Sequence, residues 1–196
     1  MCARYEMTAT PRMIMDRFHL DQAPPISNKD EMRPTDQGLI IDAGGPRLAR
    51  WGLTVDWSKQ PMINARAETL TEKPTFRPLL EKRCLVPMTA YFEWRKFGAD
   101  KLKNRIWAND NDHAPLCAFA GLTDGDAFTI VTCAPAQTVA HIHGRMPVIL
   151  TAEGQIGWPD ATIGFVEAAR YLGPYTGELI AEETQPAPPA QADLFS

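Results

Sequence analysis

Along most of this chain, apolar residues either alternate with polar ones or gather in short runs, which is the spacing of strands rather than helices. GLIIDAGG (38–45) predicts a strand ending in a Gly-Gly turn, and ARWGLT (49–54) predicts a second strand. RCLVPMTAYFEWRKF (83–97) is a long β-type run with an interruption expected at Pro87. RIWAND (105–110), PLCAFAGLT (115–123), AFTIVTCAP (127–135) and MPVILT (146–151) predict four more strands. Helical spacing is confined to short pieces. PRMIMDRFHL (11–20) sets Ile14, Met15 and Phe18 on one side, and TIGFVEAARYLG (162–173) reads as a helix. NARAETLTEKP (64–74) predicts a short helix ended by its proline, and QTVAHIHG (137–144) one or two helical turns. Residues 21–37, rich in Pro, Asp, Asn and Ser, predict a loop. Many short strands, few helices and no regular strand–helix alternation predict an α+β fold rather than a doubly wound α/β one.

Composition adds bounds to this picture. With 196 residues, 44% hydrophobic and 22% charged, the chain is long enough for one globular domain with a real core. From Glu182 the composition shifts: EETQPAPPAQADLFS is rich in Pro and Ala and predicts a disordered tail, leaving residues 2–181 as the domain. No apolar run approaches the ~20 residues of a membrane span, and no signal-peptide pattern opens the chain, so a cytoplasmic protein with no membrane partner is expected. Cys2, Cys84, Cys117 and Cys133 form no C-x-x-C pair, so neither a zinc site nor a redox motif is indicated. No other metal or cofactor motif stands out, and none is expected. Cys84, Cys117 and Cys133 sit in apolar runs and read as reduced core residues. The net charge of −4 argues against a polyanionic partner, but the charge is uneven. Residues 151–196 hold seven acids and one base, Arg170, which leaves a net +2 on the first 150.

Three stretches carry polar groups that a bland fold does not need. In AYFEW, strand alternation puts Tyr91, Glu93 and Arg95 on one face and Phe92 and Trp94 on the other. Glu93 is then either an ordinary solvated carboxylate or one held in a cleft beside a reacting group. In HIHGRMP, His141 and His143 alternate around Ile142 without a third metal ligand. His143, followed by Arg145, is either a surface histidine or a general acid–base beside an anion-binding cation. In INARAET, Asn64 and Arg66 share a face if the backbone is extended, and they could orient a substrate and fork onto phosphate. His19 and His113 have no motif around them.

Taken in order, MC-x-R at the start, Trp51–Leu53 followed by Trp57, INARAET, RCLVPMTAYFEW, the AGL of 120–122 and IHGRMPVIL resemble the SRAP (SOS response-associated peptidase) family over roughly residues 2–180. Members of that family crosslink to abasic sites in single-stranded DNA. The resemblance implies a compact α+β fold with a β-barrel-like core, flanking short helices and a groove for single-stranded DNA. It implies that Cys2 is the terminal nucleophile once Met1 is removed, and that Asn64, Glu93 and His143 are its catalytic companions. It also implies that Arg4, Arg66 and Arg145 meet phosphates, that Trp57 lies near the DNA, and that Thr132 is the active-site threonine in the strand before the histidine. Two departures stand out: Ala3 follows the cysteine, and Ser58 stands where a second tryptophan is sometimes found.

The implied chemistry is specific to a terminal cysteine. A free α-amine condenses with the open-chain aldehyde of an abasic sugar, and the tethered thiol closes a five-membered thiazolidine. A Schiff base also acidifies C2′, so strand cleavage is an expected side activity. The protein is expected to act as a monomer near replicating DNA. Two other readings stay open: an N-terminal-nucleophile amidase using the Cys2 thiolate, and a non-catalytic adaptor for single-stranded DNA. The closing QADLFS resembles the bacterial sliding-clamp-binding peptide, with Gln191, Asp193, Leu194 and Phe195 fitting it and the proline-rich stretch before it a spacer of ~20 Å.

Overall fold

The computed structural model describes residues 2–109 and 116–184. Its architecture is α+β. Five strands close into a barrel: β3 (Gln37–Asp42), β4 (Gly45–Trp51), β8 (Arg83–Met88), β11 (Cys117–Thr123) and β12 (Ala127–Cys133). The ring runs β11–β8–β3–β4–β12 and back to β11. All its pairings are antiparallel except β4–β12, where Ala127 lies beside Arg50 and Phe128 beside Trp51. β12 is long enough to take two further partners. β7 (Asn64–Arg66) runs parallel to it, and β13 (Met146–Pro147) antiparallel.

A second, open sheet of five antiparallel strands packs beside the barrel. Its order is β14 (Leu179–Glu183), β10 (Asp100–Ala108), β9 (Ala90–Phe97), β1 (Tyr5–Met7) and β2 (Lys29–Met32). A small hairpin, β5 (Leu53–Val55) and β6 (Ser58–Met62), projects from the barrel where Gly52 adopts φ 117°, a turn that glycine makes without strain. The helices are short: α1 (Pro11–Phe18), α2 (Ala152–Gly157) and α3 (Phe165–Ala168). Thr10 caps α1 by accepting from the Met13 N–H, Pro11 supplies its first turn, and Arg17 lies in its last.

Aromatic rings join the two sheets. Tyr5 of β1 meets Trp51 and Phe119 edge to face at 5.1 and 5.9 Å, and Tyr91 of β9 meets Phe119 at 6.2 Å. Tyr5 fits because position 38 has no side chain: a Cβ on Gly38 would lie 2.5 Å from the Tyr5 hydroxyl. A polar clamp completes the join. Glu6 accepts hydrogen bonds from Thr89 at 2.8 Å and from Arg105 Nε and Nη2 at 2.8 Å each. β1 is therefore fixed on its apolar side by edge-to-face rings and on its polar side by a multiply bonded carboxylate. The Cys2 end of the chain cannot swing freely.

The expected strands are present, with five differences. Lys29–Met32 is a strand inside the stretch expected to be a loop, because its ladder with β1 compensates for its polar sequence. The 83–97 run breaks at Thr89 and not at Pro87. Pro87 is tolerated because β3 pairs with β8 only at Leu85, so β8 has a free edge beyond that point. Asn64–Arg66 is a strand followed by one 3-10 turn, Ala67–Thr69, instead of a helix. MPVILT contributes a strand of only two residues, and α2 follows it unannounced. Glu182 and Glu183 belong to β14, paired with Arg105 and Asn104, so the sheet extends into the expected tail.

Burial works against charge on Glu6, yet the bonds from Arg105 and Thr89 outweigh it and hold its carboxyl below the ordinary value of 4.5. Such a group contributes stability above its unfolded pKa and loses it as the pH falls through the folded value. Urea unfolding is therefore expected to show stability falling as the pH is lowered through about 4.3. Glu6→Gln should make that fall shallower, and an unchanged slope would remove Glu6 from the account.

Candidate active site

Three elements converge on the front of β1. Cys2 is fully buried, and its Sγ donates to the Arg4 carbonyl at 3.4 Å. The same carbonyl accepts the Phe92 N–H of β9 at 3.0 Å. From β7, Asn64 Nδ2 donates to the Cys2 carbonyl at 2.8 Å. From β9, Glu93 is buried beside them, 3% exposed. Its position follows from strand alternation: Tyr91 and Glu93 turn inward, while Phe92 and Trp94 turn to the other face, where Lys103 lies over both rings.

His143 comes from a run of tight turns after β12, in which the Ile142 and His143 N–H groups donate to Val139 O. Its Nδ1 faces three groups. The Arg145 N–H donates to it at 3.0 Å, the Arg145 carbonyl lies 3.1 Å away, and Glu93 Oε1 lies 3.9 Å away. A neutral ring accepts from the N–H and carries its proton on Nε2. A protonated ring offers Nδ1–H to the carbonyl and the carboxylate.

The electrostatics of Cys2 are unfavourable to a thiolate. Burial, and then the neighbouring Glu93 carboxylate, push its thiol well above the usual range. Tyr91 is raised too, first by burial and then by the nearby Cys2 and Glu93. The thiol therefore rests protonated at neutral pH. Cys84, Cys117 and Cys133 are free thiols buried in the core.

Two grooves flank this cluster. One, of about 640 Å³, is lined by Glu93, Trp94, Lys96, Lys101, His141 and His143. The other, of about 690 Å³, runs from Asn64 and Arg66 past Lys73 and Phe76 to Trp57, whose ring is 69% exposed. Arg66 is exposed at the mouth. Arg4 lines neither groove, and its Nε donates to Glu31 Oε1 at 3.0 Å. Arg145 is occupied by Glu68, and Thr132 is fully buried beneath it. Thr132 Oγ1 and its carbonyl both accept from Arg145 Nη2, at 3.2 and 2.7 Å. The clamp-like residues 191–195 and His113 lie outside the described residues.

The four residues named from sequence as the chemical group, Cys2, Asn64, Glu93 and His143, thus lie together. Sequence reasoning missed the lysines. Lys96 and Lys101 face each other directly across the β9–β10 ladder. Two like charges opposite one another are destabilising in a sheet, and only the strand register, invisible before the fold, brings them together.

A family model described as SOS response associated peptidase (SRAP) matches residues 1–185. The chain belongs to the SRAP family. Abasic site processing protein YoqW of Bacillus subtilis is 37% identical over 181 residues, covering 81% of this chain and 80% of that protein. Abasic site processing protein YedK of Escherichia coli is 32% identical over 126 residues, covering 61% and 57%. A crystal structure of a protein from Bacteroides thetaiotaomicron superposes with a TM-score of 0.80 at 27% identity, covering 94% of this chain and 92% of that one. The SRAP barrel and its companion sheet are therefore the frame in which the Cys2 cluster sits.

Asn64→Ala should lower stability by about 1 kcal/mol, the usual worth of one such hydrogen bond. Amide exchange at Phe92, whose N–H holds the Arg4 carbonyl, should accelerate, while the β8 amides stay protected. Unchanged exchange at Phe92 would show that Asn64 does not tether the chain start.

Proposed function

We propose that this protein processes abasic sites in single-stranded DNA by forming a covalent thiazolidine between Cys2 and the abasic sugar. The observation that carries the reading is that Asn64, Glu93 and His143 gather around buried Cys2, with one groove reaching Asn64 and the other reaching Glu93 and His143. The names of the SRAP relatives, which are abasic site processing proteins, support the substrate class.

Removal of Met1 converts the Cys2 nitrogen from an amide into an α-amine with a pKa of ~7.7–8.0, so roughly a tenth is neutral at pH 7. The neutral amine adds to C1′ of the open-chain sugar. Loss of water gives an imine, and the Cys2 sulfur adds to the same carbon while its proton leaves. The net change is one water lost per adduct. In this scheme Glu93 takes the amine proton and returns it to the departing hydroxyl, then passes the thiol proton to the imine nitrogen and ends unchanged, while His143 protonates the sugar ring oxygen as the ring opens. Asn64 holds the Cys2 carbonyl and so aims the nitrogen. An order of events in which the amine attacks first needs no resting thiolate, whereas the amidase reading does.

The grooves suit a single strand. Opposed Lys96 and Lys101 offer positive charge to phosphate, Arg66 does so on the other side, and the exposed Trp57 and the half-buried Trp94 offer faces for stacking. The Schiff-base intermediate would also permit strand cleavage as a side activity. The tail peptide QADLFS is proposed as a tether to a sliding clamp. Leu194→Ala with Phe195→Ala should abolish capture by immobilised clamp while leaving adduct yield on free oligonucleotide unchanged.

The central test is intact mass after incubation with a single-stranded oligonucleotide carrying one abasic site. The expected gain is the oligonucleotide mass less one water. Cys2→Ala should form no stable adduct yet still bind the strand. Glu93→Gln should slow adduct formation by roughly 10²-fold or more, the scale of general acid–base catalysis. Wild-type protein lacking Met1 that forms no adduct would overturn the reading, and amide turnover without DNA would favour the amidase.

A further inference from the structure

The guanidinium of Arg145 is held on two sides. Glu68 receives it as a fork, Nη1 to Oε1 at 2.8 Å and Nη2 to Oε2 at 2.9 Å. Nη2 also donates to the Thr132 carbonyl at 2.7 Å and to Thr132 Oγ1 at 3.2 Å. Thr132 is itself fixed, because β12 pairs Thr132 with Arg66 of β7 and its Oγ1 donates to the Ala65 carbonyl at 3.4 Å. The guanidinium carries a backbone whose N–H and carbonyl both meet His143 Nδ1, at 3.0 and 3.1 Å. The chain of contacts runs from Glu68 through the side chain and then the main chain of Arg145 to the imidazole.

We infer that Glu68 is a positioning residue: with Thr132 it locks Arg145, and the locked Arg145 backbone sets the tautomer and tilt of the His143 ring. This rests on the role given to His143 above. The geometry favours positioning over a merely superficial ion pair. The pair is bidentate, its Arg145 side chain is only 19% exposed, and it shares a donor with a buried strand carbonyl. Exposed single-point pairs contribute little, whereas a forked pair fixed to a strand restricts rotation. The Arg145 bond also holds the Glu68 carboxyl below its ordinary value, so the pair stays charged across the neutral range.

The segment that delivers Glu68 also delivers Asn64. Residues 64–66 form β7, and Glu68 lies in the 3-10 turn that follows without a break. One short stretch thus holds the Cys2 carbonyl at its first residue and, through Arg145, the His143 ring at its fifth. The two ends of the cleft are set by a common support.

The test uses Glu68→Ala and Glu68→Gln in full-length protein lacking Met1, with thermal unfolding as a folding control. The first readout is the 15N spectrum of the His143 imidazole without DNA. Wild type is expected in the Nε2–H form when neutral, and Glu68→Ala should raise the Nδ1–H fraction and shift its titration against the Glu93, His141, Lys96 and Lys101 surroundings. The second readout is the adduct rate against pH. Glu68→Ala should lose roughly tenfold, part of the ~10²–10⁴ available to a general acid, and should displace the limb assigned to His143. Glu68→Gln, which keeps an acceptor for one guanidinium arm, should recover part of both effects. Binding to a strand with a non-reactive abasic analogue should change by less than the rate does.

Unaltered imidazole signals in Glu68→Ala would overturn the inference, as would a wild-type rate and pH profile. Tighter strand binding with a faster adduct rate would also overturn it, since Glu68 would then be a competitor for the phosphate that Arg145 binds. If wild type itself forms no adduct, the proposed function fails, and the imidazole spectrum still decides whether Glu68 sets the ring.

Discussion

Everything at the cleft depends on holding four residues at the front of the chain in place. Chain ends fray unless they are tied down, and this one is tied three ways. Asn64 holds the Cys2 carbonyl, the Phe92 N–H holds the Arg4 carbonyl, and Tyr5 is wedged against Trp51 and Phe119. Each tie comes from a different part of the fold. A reactive group on a loose end would lose the advantage of proximity, because orientation is what converts a two-body encounter into an effectively one-body step.

The surroundings of Cys2 are tuned by what is excluded as much as by what is present. Burial first, and then the neighbouring Glu93 charge, keep the proton on sulfur. The same carboxylate approaches His143, whose ring has a donor and acceptors waiting on one nitrogen. Lysine charge is gathered on the groove wall, where Lys96 and Lys101 stand opposed.

Much of the strand content was legible, because alternation and apolar runs are local properties. GLIIDAGG, AFTIVTCAP and the 83–97 run needed no knowledge of partners. What failed to read locally was set by partners. KDEM at 29–32 has no strand pattern and is a strand only because β1 offers it a ladder. The break at Thr89 instead of Pro87 depends on where β3 stops, and residues 182–183 read as tail until β10 pairs with them. The site was legible in part for the same reason. Cys2, Asn64, Glu93 and His143 were recognisable by motif and by the oddity of polar groups in apolar runs. Glu68 carried no signal of its own within INARAET, and the lysine pair existed only in the register.

The double use of β12 ties the making of the barrel to the making of the cleft. Its first half closes the ring against residues 50–51, and its second half lays residues 64–66 alongside 130–132. Both pairings join segments more than sixty positions apart, so loop entropy must be spent before either is rewarded. Chains dominated by such distant pairings fold slowly. The late docking of one strand should therefore deliver both the closed ring and the arranged side chains, leaving few molecules that are compact yet chemically unready.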